Sequence, residues 1–226
     1  MTKRFGFTLA EVLITLGIIG VVAAMTIPTL ISNTNGAQFK TAYKKALSTL
    51  NQAVLMNVAM EDTDFAGLKA DADGSVPTGS MSEMLGQRMQ SATEITDNYF
   101  TATAAGATLT LGEDITCTAA GVPDGRCTGT ETIDETTDYT ASTAKIFSFA
   151  DGTSFGYLIA NTDCSDTAPC KGFIDVNGAT GPNKEIDCAD ENSCTATEIM
   201  DIFPVLYHGQ TVEPATSSAR AVLFGK

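Results

Sequence analysis

The chain has 226 residues, 13 of them basic and 27 acidic, for a formal net charge of −14, and is long enough for one membrane segment plus one globular domain with a real core. The charge is split: residues 1–45 carry five bases and one acid, net +4, while the remainder carries 26 acids and eight bases, net −18. An acidic head repels phosphate and so argues against nucleic acid as its partner, and a single histidine with no Cys-x-x-Cys pattern argues against zinc.

Lys3 and Arg4 precede the stretch Gly6-Phe7-Thr8-Leu9-Ala10-Glu11, and after Glu11 no charged side chain occurs until Lys40. The run Val12–Leu30 is long enough to cross a bilayer as a helix. An acid at the end of such a helix costs a few kcal/mol on insertion scales, so Glu11 calls for a partner and a purpose. Lys3 and Arg4 on the N-terminal flank favour a cytoplasmic N-terminus and an exported C-terminus. A secretory signal peptide with Val22-Ala23-Ala24 as its cleavage site, or a plain uncleaved anchor, would also explain the apolar run, but neither has a use for Glu11.

Pro28 and the polar stretch Ser32-Asn33-Thr34-Asn35-Gly36 come next. Phe39, Tyr43, Ala46, Leu47, Leu50 and Val54 then recur at three- and four-residue steps, which predicts an amphipathic helix to about Met60. A helix continuous from Phe7 to that point would be a rod of ~80 Å at 1.5 Å per residue, with Pro28 and Gly36 as the expected points of kinking or melting. Residues 61–80, rich in Asp, Gly, Ser and Pro, read as a loop. Met81 to Ser91 is a candidate short helix, and Thr108-Leu109-Thr110-Leu111 alternates like a strand.

Residues 112–144 read as a Thr/Asp/Gly-rich loop stapled by Cys117 and Cys127. Ile146-Phe147-Ser148-Phe149-Ala150 and Ser154-Phe155-Gly156-Tyr157-Leu158-Ile159, joined around Asp151-Gly152, predict a β-hairpin. Phe173-Ile174-Asp175-Val176 and Ile202–Tyr207 are further short strands. A long helix followed by antiparallel strands and loops is an α+β arrangement.

The six cysteines, Cys117, Cys127, Cys164, Cys170, Cys188 and Cys194, fall into three close pairs in the acidic part. An even count with this clustering predicts disulfides, although fifteen connectivities are formally open, and disulfides imply an oxidising compartment. In Asp175-Val176-Asn177-Gly178, Asp175 and Asn177 set two oxygen-bearing side chains on one side of a tight turn, as calcium loops do. Asp187, Asp190, Glu191 and Asp201 follow, but the EF-hand spacing is absent, and an Asx turn between strands accounts for the same residues. No other cofactor is expected. His208 reads as a turn residue, no cysteine stands out as a nucleophile, and nothing in the pattern indicates an enzyme.

Gly6-Phe7-Thr8-Leu9-Ala10-Glu11-Val12-Leu13, with the basic residues before it, the apolar run after it and Pro28 near the end of that run, resembles the class III leader of type IV pilins and type II secretion pseudopilins. The resemblance covers about Lys3 to Leu30. It implies a pilin-like α+β fold, with a long N-terminal helix, an antiparallel β-sheet head and disulfide-stapled loops. The implied organisation is a leader at 1–6, a transmembrane and assembly helix at 7–31, the amphipathic half of that helix at 32–60, and an extracytoplasmic head at 61–226. A prepilin peptidase would cut between Gly6 and Phe7 and methylate the new amine of Phe7. Glu11 would pair with the Phe7 amine of a neighbouring copy, and Pro28 would mark where the helix bends on joining the filament.

The implied function is that of a subunit of a type IV pilus-like filament. Its partners would be prepilin peptidase, an inner-membrane assembly platform and other copies of itself or related pilins. It would reside in a bacterial inner membrane before assembly and afterwards in a periplasmic or cell-surface filament. A type II secretion pseudopilin, or a non-polymerising membrane-anchored module that binds calcium or a surface ligand, are the alternatives.

Overall fold

A computed structural model describes residues 8–71, 76–89, 92–102, 108–112, 114–116, 132–134, 136–181, 184–185 and 200–224. Helix α1 runs without interruption from Leu9 to Glu61, about 80 Å at 1.5 Å per residue. Thr8 opens it with a complete capping box, and Asp62 closes it in the left-handed conformation (φ 54°), its N–H bonded to the Val58 carbonyl. Pro28 lies inside the helix and removes one internal donor, yet α1 continues through both Pro28 and Gly36; the expected melting at these points is not seen.

The head is built on the second half of α1. Its elements are α2 (Met81–Arg88), β1 (Thr93–Glu94), α3 (Thr96–Ala102), β2 (Thr108–Leu111), β3 (Asp114–Thr116), β4 (Thr132–Asp134) and β5 (Thr137–Thr140). They continue with β6 (Ala144–Ser148), β7 (Ser154–Leu158), β8 (Cys170–Asp175), β9 (Ile202–His208), β10 (Thr211–Pro214) and α4 (Ser217–Phe224). Six strands form one antiparallel sheet in the order β1-β6-β7-β8-β9-β10, and β2-β5 and β3-β4 are separate two-stranded ribbons. The stretch 112–144, expected to be a loop, therefore contains three short strands among its described residues. These strands are three or four residues long and pair in two-stranded ribbons outside the main sheet, so no long hydrophobic alternation announces them.

The sheet is buried on both faces. On one, Tyr43, Leu50 and Val54 of α1 pack with Phe155, Tyr157, Phe203, Val205 and Tyr207 and with Met84 and Leu85 of α2; the rings of Tyr43 and Phe203 stack at 4.2 Å. On the other, Tyr99 and Phe100 of α3 and Leu109, Leu111 and Tyr139 of the β2-β5 ribbon cover Ile146, Phe173 and Ile202. Neighbours in one strand, such as Phe173 and Ile174, go to opposite layers, as the two-residue period of a strand requires. Gly156 is demanded by this packing, because a Cβ there would collide with the Phe173 ring that lies across it.

The predicted hairpin is β6-β7, with Ser148 opposite Ser154. Phe149 N–H bonds the Thr153 carbonyl at 2.8 Å, so the loop is the three residues Ala150–Gly152, with Gly152 at φ 86° in the position that favours glycine. At the opposite edge of the sheet, Asn51 of α1 grips β10. Its Oδ1 accepts from the Val212 N–H at 2.9 Å, and its Nδ2 donates to the Val212 carbonyl at 3.0 Å and to its own helix at Leu47.

Candidate functional site

The N-terminal half of α1 is the first candidate. Leu9–Pro28 has a mean hydropathy of 2.2, none of it is buried, and among the described residues it is the one helix long and apolar enough to cross a membrane. Such a surface is soluble only in lipid or against another apolar surface. The hydroxyls of Thr15, Thr26 and Thr34 are turned inward on the helix itself, bonding the carbonyls of Glu11, Val22 and Leu30 at 2.8–3.0 Å, so these three do not ask for water.

Glu11 sits at the tip. Its Oε2 accepts both the backbone N–H and the hydroxyl of Thr8 at 2.8 Å, while its own N–H bonds the Thr8 hydroxyl. The carboxylate is thereby folded back over the helix N-terminus, where the helix dipole favours an anion. Gly6 and Phe7 lie outside the described residues. Gly17 and Gly20 have nothing within 4 Å of where a Cβ would stand, so no contact within the chain requires them to be glycine.

The second candidate is the end of β8. Asp175 is fully buried. Its Oδ2 accepts from the Tyr99 hydroxyl at 2.7 Å and its Oδ1 from the Asn177 N–H at 3.1 Å, an Asx turn with a tyrosine added. Burial pushes its carboxyl up to about 7 against the opposing hydrogen bonds from Tyr99 and Asn177, and Asp201 adds to the rise. Asp201 is itself fully buried and accepts from the Lys184 N–H at 2.6 Å. Asn177 Nδ2 donates to the Gly181 carbonyl, while Asn177 Oδ1 is buried without a hydrogen-bond partner.

Among the described residues no three His, Cys, Asp or Glu side chains come together as metal ligands; Asp187, Asp190 and Glu191 lie outside them. Tyr99 was not foreseen, since it comes from a helix 76 positions away that the sequence pattern did not reveal.

Of the cysteines, Cys164 and Cys170 are joined with Cα atoms 5.2 Å apart; Cys117, Cys127, Cys188 and Cys194 lie outside the described residues. The bridge closes a small loop under β9, where Gly209 N–H bonds the Cys164 carbonyl. His208, expected in a turn, is instead the last residue of β9, opposite Thr211; it pairs with Asp166 of that loop at 2.8 Å and approaches Glu213 of β10 at 3.5 Å.

An exposed apolar helix joined to a disulfide-bearing α+β head defines a membrane-anchored, pilin-like architecture. The family model described as the prokaryotic N-terminal methylation motif matches residues 1–27. That match supports the type IV pilin and pseudopilin family, with a class III prepilin leader of the kind cut by prepilin peptidase and methylated. No curated protein and no solved structure gives a significant match to the chain.

Proposed function

We propose that this chain is the structural subunit of a type IV pilus-like filament, released from its leader between Gly6 and Phe7 and polymerised through the first half of α1. The observation that carries the reading is the apolar span itself, uncovered along its whole length and tipped by one carboxylate. In lipid, helices gain little from hydrophobicity when they associate, so close approach and polar contacts must hold them together. Gly17 and Gly20 allow that approach without serving any contact inside the chain.

Glu11, with Oε2 already satisfied by Thr8, keeps Oε1 to receive the methylated Phe7 amine of the next copy. A buried ammonium–carboxylate pair compensates charge and sets axial register. The cytoplasmic N-terminus, the exported head, the assembly platform and the remaining disulfides belong to the same proposal. A loop-rich head of this size favours a pilus over a secretion pseudopilus.

The test is Glu11→Ala. Membrane insertion and leader cleavage are expected to persist while sheared filament yield falls at least tenfold, since an unpaired buried charge costs about 3–5 kcal/mol. Mass spectrometry of the mature terminus supplies the second arm. A chain starting at methylated Phe7 supports the proposal; normal filament yield from Glu11→Ala, or a chain starting at Met25 or retaining Met1, overturns it.

For Asp175 and Asn177 we favour the turn over calcium, because both Asp175 oxygens already accept protein donors and an ion would have to take Oδ2 from Tyr99. The unpartnered Asn177 Oδ1 is the one feature on the side of calcium. Heat on calorimetric titration with Ca²⁺ would reinstate the ion.

A further inference from the structure

A buried polar cluster lies away from both candidate regions, where the chain leading into α2 crosses the start of β6. Asp71, held by its N–H to the Ile159 carbonyl at 2.9 Å, turns its carboxylate inward until the side chain is 1% exposed. Lys145 of β6 is 8% exposed and brings Nζ to 3.8 Å from Asp71 Oδ1, to 3.9 Å from Glu94 Oε2 of β1, and to 3.2 Å from the Ser82 hydroxyl. The two Asp71 oxygens differ. Oδ2 accepts the Tyr157 hydroxyl at 2.6 Å and the Ser82 N–H at 3.4 Å, whereas Oδ1, equally buried and facing the lysine, accepts no hydrogen bond.

We propose that Lys145 and Asp71 condense into an intramolecular isopeptide bond, with Glu94 carrying the proton. An amine and a carboxyl group held side by side out of water react with effective molarities of about 10⁵–10⁸ M in well-oriented cases. Condensation also removes two charges whose burial is expensive when their hydrogen bonding is incomplete.

The steps balance within the cluster. One proton passes from the Lys145 ammonium to Asp71 Oδ1, leaving a neutral amine and a carboxylic acid. Nζ attacks Asp71 Cγ, and the negative charge develops on Oδ2, where the Tyr157 hydroxyl and the Ser82 N–H already point as preorganised donors. Burial holds the Tyr157 hydroxyl well above its ordinary range, with the Asp71 charge beside it adding to the rise, so it remains a donor at any physiological pH.

Glu94 then accepts a second proton from Nζ and returns it to the Oδ1 hydroxyl, which leaves as water. The third proton stays on the amide nitrogen. Glu94, 44% exposed, and Lys145 both line an open cleft of about 640 Å³, through which that water departs. The product ties the segment ahead of α2 to the start of β6, a covalent link within the chain in addition to Cys164–Cys170.

The test is the intact mass of the full chain, purified in detergent, then unfolded and reduced, followed by sequencing of its tryptic peptides. The expected result is a mass lower by one water and a branched peptide joining the segments that contain Asp71 and Lys145. Lys145→Arg and Asp71→Ala should both restore the full mass, and Glu94→Gln should slow the loss at least tenfold in freshly purified protein. Wild-type protein in which both segments are recovered as linear peptides overturns the proposal whether or not any variant folds. Cleavage and methylation at Phe7 alter only the tryptic peptides up to Lys40, so failure here and failure of the filament reading are seen separately.

Discussion

Replacing Asn51 by leucine tests how α1 is fastened to the head. Val212 is buried, and both of its outward backbone groups end on Asn51, N–H to Oδ1 at 2.9 Å and carbonyl to Nδ2 at 3.0 Å. Two residues on, Pro214 has no N–H to offer, so these contacts cap the edge of a six-stranded sheet that would otherwise be open to pairing. Leucine keeps the branched heavy-atom outline of asparagine, with bulkier tips that exclude water, leaving a donor and an acceptor unpaired.

At about 1–3 kcal/mol for each buried unsatisfied group, partly relieved by movement of the edge, the loss should be about 2–4 kcal/mol. In a domain of this size that corresponds to a fall in Tm of roughly 4–16 °C. Alanine admits water to the same groups and should cost about half as much. The assay is thermal and denaturant unfolding of the full chain in detergent, followed by near-ultraviolet circular dichroism of the buried tyrosines. A leucine variant within 0.5 kcal/mol of wild type, a margin typical of inert surface changes, or one more stable than the alanine variant, would refute the clamp.

Stability of the head should fall as pH rises from about 4 to about 7, because Asp175 is held up to about 7 in the fold from an ordinary value of 3.8. Below the lower value both states are protonated, and between the two the unfolded chain binds fewer protons than the folded one, so the slope is negative. The full effect is on the order of 2–4 kcal/mol; Asp175→Asn should remove this component of the pH dependence, and an unchanged profile in that variant would count against it. Gly156→Ala should destabilise by roughly 1–3 kcal/mol as the Phe173 ring is pushed off its seat, with Gly156→Ala/Phe173→Leu recovering part of the loss in a double-mutant cycle of unfolding energies.

The features that were legible in advance are local. The uncharged run between Glu11 and Lys40, the three- and four-residue recurrence from Phe39 to Val54 and the alternation on either side of Asp151-Gly152 each depend on residues a few positions apart. They appear as α1 and the β6-β7 hairpin. The tight spacing of Cys164 and Cys170 likewise predicted a bridge that is present.

The helical recurrence from Phe39 to Val54 does not mark Asn51, which falls beside the apolar stripe at a boundary position. Only the arrival of β10 from 161 positions away makes it a clamp. Strands β1 and β10 and helices α3 and α4 went unseen for a related reason. They are short: β1 and β10 are edge strands of two and four residues, and α3 and α4 cover a sheet whose layers cannot be inferred from any single segment.

The sequence by itself determined that this chain has a processed-type leader, a bilayer-length apolar helix tipped by Glu11, and an acidic head with close cysteine pairs. Covalent order and hydropathy are sufficient for those. Tertiary structure alone decided that the sheet is buried on both faces, that Tyr99 reaches Asp175, and that Asp71 and Glu94 both come within 4 Å of Lys145. Such meetings depend on how strands far apart in the chain are ordered in the sheet, and no local period records that order.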